Sequence, residues 1–201
     1  MMSAIIFNPS QEDTLKELIN VSFGVAASLI GDLLESHVKL HIPEISTIAI
    51  EDFDAKILEL LGEEDQFYLT KQRFIGSFNG EVIFLFTPTS AKSFCNLLLK
   101  QDERLNEADT KSSILELTNI ITSACISQLC EIINGQTVFQ VPSIEKRNIS
   151  FLDKYEKIVG YDNVIIIKTA LDVEEENILG HMFILLNNRM LEHLQYIMEG
   201  L

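Results

Sequence analysis

The chain has 201 residues, 47% of them hydrophobic and 22% charged, enough to bury a sizeable core and far from the composition of a disordered segment. Its net charge of −15 would repel a phosphate backbone, so nucleic acid is not an expected partner. The three cysteines, Cys95, Cys125 and Cys130, are odd in number and sit in apolar contexts, so no disulfide framework is expected and the compartment is read as cytoplasmic. The N-terminus lacks the basic start of a signal peptide, and no unbroken apolar run approaches about 18 residues, so no membrane insertion is expected.

In chain order, residues 1–9 read as a lead-in ending at Asn8-Pro9, and Ser10 and Asp13 are candidate N-caps. A helix is predicted from about Asp13 to Glu35. At about 100° per residue, Leu15, Leu18, Ser22, Val25, Leu29 and Leu33 gather on a side predicted to face the core. Asp13, Glu17, Asn20 and Gly24 fall within roughly 60° of one another on the opposite side. A strand over Val38–Ile42 is predicted to end at Pro43. A further short strand near Ile48 and Ile50 and a short helix over Phe53–Leu61 follow. Phe67–Phe74 and Glu81–Thr87 read as a strand pair joined by the turn Gly76-Ser77-Phe78-Asn79-Gly80. Thr89-Ser90 can cap a helix to about Lys100, and the polar, aperiodic residues 101–109 read as a connector.

The second half repeats this order. A helix is predicted from about Ser112 to Asn134, with Ile114, Leu117, Ile121, Ala124 and Ile132 on its apolar side and Ser112, Glu116 and Asn119 on the other. Ser123 stands where Gly24 stood. Thr137–Val141 is a predicted strand ended by Pro142, and Ile149 corresponds to Ile50. Val164–Ala170 and Ile178–Leu186 form the second strand pair around an acidic turn, residues 172–177. Asn187-Asn188 can cap a last helix ending near Met198.

Two copies of one unit, each too small to close its own core, suggest pairing about a pseudo-two-fold axis. The expected fold class is therefore α+β, an internal duplication with helices packed on a largely antiparallel sheet. A single domain over residues 1–201 would contain repeats of about 10–100 and 110–199 with the connector at 101–109. A fused duplicate can act as its own dimer, so a monomer is expected.

The most specific feature is a repeated spacing. Asp13, Glu17, Asn20 and Pro43 recur as Ser112, Glu116, Asn119 and Pro142 with the same intervals. This pattern resembles the signature of the CheC-type phosphatases of bacterial and archaeal chemotaxis, and the resemblance covers nearly the whole chain. Neither copy has lost a member. The related CheX keeps one intact site per chain, so the sequence is closer to CheC. Its length is expected to correspond to a stand-alone CheC, without the C-terminal switch domain that FliY carries.

The resemblance implies hydrolysis of the aspartyl phosphate of a phosphorylated CheY-type response regulator. It implies catalytic roles for Glu17, Asn20, Glu116 and Asn119, with Asp13, Ser112, Pro43 and Pro142 supporting the motif. It implies no cofactor of the chain's own, because the regulator is expected to bring Mg²⁺ and a lysine beside the phosphate. The alternative is an adaptor, non-enzymatic or weakly catalytic, that binds the deamidase CheD or the flagellar switch.

Plainer readings stand beside these. A lone exposed Glu on a helix is usually only solvated. Asn inside a helix costs roughly 0.6 kcal/mol relative to Ala, so two at matched positions are harder to explain that way. Asp13 and Ser112 can equally cap or solvate their helices, and both prolines read as structural. His37 and His41 would lie roughly 13 Å apart along a strand, a poor geometry for a metal. Cys125 and Cys130 have no basic neighbour in sequence and read as packing. His181 and His193 read as ordinary side chains.

Overall fold

A computed structural model of the chain describes residues 7–62, 64–77, 79–100, 105–132, 134–148, 161–173 and 176–198. The first helix, α1 (Pro9–Leu34), starts earlier than expected. Asn8, rather than Ser10 or Asp13, caps it: the Gln11 backbone N–H donates to Asn8 Oδ1 at 2.9 Å, and the Asn8 N–H donates to Gln11 Oε1 at 2.9 Å. This reciprocal pair satisfies two of the orphan donors of the first turn, and Pro9 fits the first helical position.

Strand β1 (Val38–Ala49) runs through Pro43 instead of ending there, taking in the stretch read as a separate strand near Ile48. A 3₁₀ turn (Ile50–Asp52) leads to α2 (Phe53–Leu61), then β2 (Gln66–Gly76), β3 (Gly80–Phe86) and α3 (Pro88–Leu99). Thr87 rather than Thr89 or Ser90 caps α3, with Oγ1 accepting from the Ser90 N–H at 3.1 Å. Helix α4 (Glu107–Ile132) begins inside the stretch read as connector, because Asn106 Oδ1 accepts from the N–H groups of Ala108 and Asp109. Strands β4 (Thr137–Phe139), β5 (Ser143–Asn148), β6 (Asn163–Val173) and β7 (Glu176–Leu186) and helix α5 (Asn188–Met198) follow among the described residues. Much of the predicted acidic turn is thus strand, with Asp172 paired to Asn177. Ile149 lies outside the described residues.

The seven strands of the described residues form one antiparallel sheet in the order β1-β6-β7-β3-β2-β4, with β5 also paired to β2. Exchanging β1 for β4–β5, β2 for β6 and β3 for β7 gives the same order read from the other edge. The α+β fold with internal two-fold symmetry is therefore present in the strand order. The halves are interlocked: β1 of the first pairs with β6 of the second, and β4–β5 of the second pair with β2 of the first.

The two prolines occupy matched breaks on opposite edge strands. The β1–β6 register shifts between His41 and Glu44, around Pro43. The β2 ladder passes from Phe74↔Phe139 to Lys71↔Ser143, skipping Pro142. Proline lacks an N–H for the ladder and is tolerated at an edge or a bulge, so each kinks its strand without closing the sheet.

One face of the sheet carries α1, α3, α4 and α5 over Phe74, Phe84, Ile165, Ile167 and Ile184; the other carries α2 over Phe67, Ile83, Val164 and Phe183. In α1 the buried residues are Gln11, Leu15, Ile19, Ser22, Phe23, Ala26, Ile30 and Leu34, so Leu15 and Ser22 face the core as predicted. Val25 and Leu29, predicted to be core, are 51% and 49% exposed, and Leu18 and Leu33 are half-buried. The buried arc is turned by roughly 70° from the predicted one. Helix α1 packs against α4 as well as the sheet, so burial is shared between its inner face and one flank. Helices α1 and α4 are long and apolar enough to cross a membrane by length and composition alone, with mean hydropathies of 1.4 and 1.2. Each nonetheless packs an apolar face into the core described above.

Candidate functional site

Glu17 and Asn20 lie one turn apart on α1 and are both exposed, as are Asp13 and Gly24. Asp13 faces Lys16 at 3.8 Å, a solvated pair of little energetic weight. Gly24 has open space where a Cβ would stand, so its own chain does not require it to be glycine. The Asn20 amide has no hydrogen-bond partner among the described residues.

The second helix presents the matching set. Ser112, Glu116 and Asn119 are exposed on α4, and Ser123 is half-buried. Here the amide is held: Asn119 Oδ1 accepts from Gln72 Nε2 at 2.8 Å. The same Nε2 donates to the Gln140 backbone carbonyl at 3.2 Å. Gln72 points from β2 toward the helices and is 4% exposed. Nothing in the sequence marked this residue, because the contact spans separate elements and no local period encodes it.

The surroundings of the two motifs also differ. Beside Asn20, Val21, Val25 and Leu29 form an exposed apolar row. On α4 the corresponding residues are Ile120, Ala124 and Gln128, all half-buried. Further along α1, Gly24, Ala27, Ser28 and Gly31 wall an open cleft against Val38 and Leu40. Pro142 is half-buried, and Pro43 sits in the β1 bulge.

The remaining candidates do not form a reactive centre. Cys95, Cys125 and Cys130 are buried. Burial pushes the Cys125 thiol far above its ordinary value, and that of Cys130 upward despite a hydrogen bond with Thr137, so both stay protonated and poorly nucleophilic. Burial, reinforced by Lys168, lowers the pKa of His181 and favours its neutral form. No cluster of three or more His, Cys, Asp or Glu side chains able to hold a metal occurs among the described residues.

Comparison with known proteins places this arrangement. No protein-family model matches the sequence. Among solved structures, FliY of Thermotoga maritima superposes with a TM-score of 0.75 at 12% identity, covering 98% of this chain and 99% of that one. The FliM middle domain from H. pylori gives 0.64 at 11% identity, covering 95% and 99%. The chemotaxis protein CheX from Desulfovibrio desulfuricans gives 0.51 at 14% identity, covering 84% and 99%. The chain has the CheC/CheX/FliY fold. At these identities the likeness is one of fold, and chemistry has to be argued from the side chains.

On the CheC/CheX/FliY fold, each motif helix of this chain offers an exposed carboxylate and an exposed amide one turn apart. Such a pair can accept from a cation through Glu and orient a small polar molecule through Asn.

Proposed function

We propose that the chain is a phosphatase for the aspartyl phosphate of a CheY-type response regulator, working in the cytoplasm as a monomer. The observation that carries the proposal is the exposed Glu–Asn pair, one turn apart, present on each of two symmetry-related helices of this fold. An acyl phosphate is already labile, so hydrolysis needs an aligned water and relief of the charge on the phosphoryl oxygens. The water oxygen bonds to phosphorus in line with the breaking P–O bond, the regulator's aspartate leaves as a carboxylate, and the water's proton passes to the released phosphate or to solvent. Asn20 or Asn119 orients that water. Glu17 or Glu116 pairs with the regulator's lysine and sets the docking register. The partner supplies Mg²⁺, and the chain supplies geometry.

A second reading has support of its own in the exposed row Val21, Val25 and Leu29. An apolar strip of this kind suits a protein partner, such as CheD or the flagellar switch, and a role that is mainly one of binding. One measurement separates the two: phosphate release from the phosphorylated regulator, with and without CheD. Release well above spontaneous hydrolysis by the chain alone supports the phosphatase. Binding without acceleration supports the adaptor.

A further inference from the structure

The two amides at the centre of the proposed sites are not in equivalent settings, and the difference traces to one buried side chain. Gln72 Nε2 lies within hydrogen-bond distance of two oxygens, Asn119 Oδ1 at 2.8 Å and the Gln140 carbonyl at 3.2 Å. The backbone carbonyl can only accept. The Gln72 atom facing it must therefore be the NH₂ group, which settles the orientation of this amide. The Asn119 atom facing the same NH₂ must in turn be its carbonyl oxygen. The carbonyl half of Asn119 is thus turned toward the sheet, and its own NH₂ is left for the exposed side.

Pro142 accounts for the free carbonyl. The β2 ladder breaks between Phe139 and Ser143, and although the Gln140 N–H still donates to the Arg73 carbonyl at 2.9 Å, the Gln140 carbonyl turns to the Gln72 side chain. The Asn-to-Pro spacing thereby acquires a physical link, running from Pro142 through Gln140 and Gln72 to Asn119. Among the described residues the first site shows no such chain. The β6 residues facing α1 near the matching bulge are Ile167 and Thr169, and the Thr169 hydroxyl donates to the Gly180 carbonyl at 2.9 Å.

We propose that Gln72 is a positioning residue for Asn119, fixing its amide so that the second site presents a preset N–H donor while the first presents an unpinned amide. The inference rests on the phosphatase reading for its consequence and on the hydrogen bonds for its geometry. In the preset pose Asn119 holds the attacking water through one N–H, which leaves the water's other lone pair for phosphorus. Asn20 is not held in this way and can turn either its N–H or its carbonyl toward the water. A pinned amide keeps its productive orientation without losing rotamer freedom at each turnover.

The test compares Gln72→Met, which keeps the volume and removes the donor, in two backgrounds. With Asn20→Ala, only the second site turns over, and Gln72→Met is expected to lower kcat about tenfold with KM for the phosphorylated regulator unchanged. With Asn119→Ala, only the first site turns over, and the same substitution is expected to leave kcat as it was. Equal losses in both backgrounds, or no loss in either, overturn the proposal. Side-chain amide NMR of the otherwise unaltered protein gives an independent reading. The Gln72 NH₂ protons are expected to exchange slowly and to lose that protection in Asn119→Ala. Fast exchange in the unaltered protein overturns the proposal even where no variant folds. Absence of turnover in every form, with the Gln72 amide still protected, contradicts the phosphatase reading and leaves the amide geometry standing.

Discussion

At the scale of single residues, the exposed carboxylates and amides were legible and their partners were not. Glu17, Asn20, Glu116 and Asn119 fall on the solvent side because the helical period alone separates them from Leu15, Ile19, Ile114 and Leu117. Gln72 was invisible, since a polar residue in a strand carries no sign of which helix will cross above it. The carboxylates make a separate prediction. Glu17→Ala with Glu116→Ala removes both proposed lysine contacts and leaves both amides. Affinity for the phosphorylated regulator, followed by titration, is expected to fall about tenfold, with a smaller change in the turnover of bound complex. Unchanged affinity would remove the proposed docking role from both glutamates.

At the scale of elements, periodicity located nearly every helix and strand, and the errors cluster at caps, bulges and one helix face. Asn8 and Asn106 do not stand out as caps in the sequence, because several polar residues compete within a few positions of each helix start. In the sequence Pro43 and Pro142 both look like strand ends. Pro142 does lie between β4 and β5, whereas Pro43 is a bulge within β1; on an edge strand the missing N–H disturbs no neighbour in the interior of the sheet. The inner face of α1 was misplaced because a projection from one helix cannot reveal that a second helix covers one flank. The centre of the sheet has a stringent site of its own. A Cβ on Gly80 would lie 2.6 Å from the Leu185 carbonyl oxygen and 2.5 Å from the Phe74 ring. The backbone oxygen cannot retreat without disturbing the β3–β7 pairing, so Gly80→Ala is expected to cost about 1–3 kcal/mol in denaturant unfolding. A variant as stable as the parent would show that the central pair is looser than drawn here.

At the scale of the whole molecule, the repeat in the sequence becomes an interlocked pair. The N-terminal strand of each half is an edge strand on the other, and the central pairing joins Ile83 to Phe183. Neither half can complete its sheet alone. Fragments 1–104 and 105–201 are expected to be unfolded apart, by circular dichroism, and to regain strand signal when mixed. Independent folding of either fragment would contradict the exchange. The repeat itself was legible from spacing, but the crossing of strands was not, because equal spacing fits side-by-side halves as well as interlocked ones.

This architecture holds two exposed Glu–Asn helices in related positions, and the central claim is that their amides carry the chemistry. The most direct test follows decay of the phosphorylated regulator with the unaltered chain, with Asn20→Ala, with Asn119→Ala, and with both. Each single variant is expected to keep the turnover of the remaining site, and the double variant to lose at least about 10²–10³-fold in rate while its circular dichroism stays that of the folded protein. Decay at the unaltered rate with the folded double variant would contradict the account.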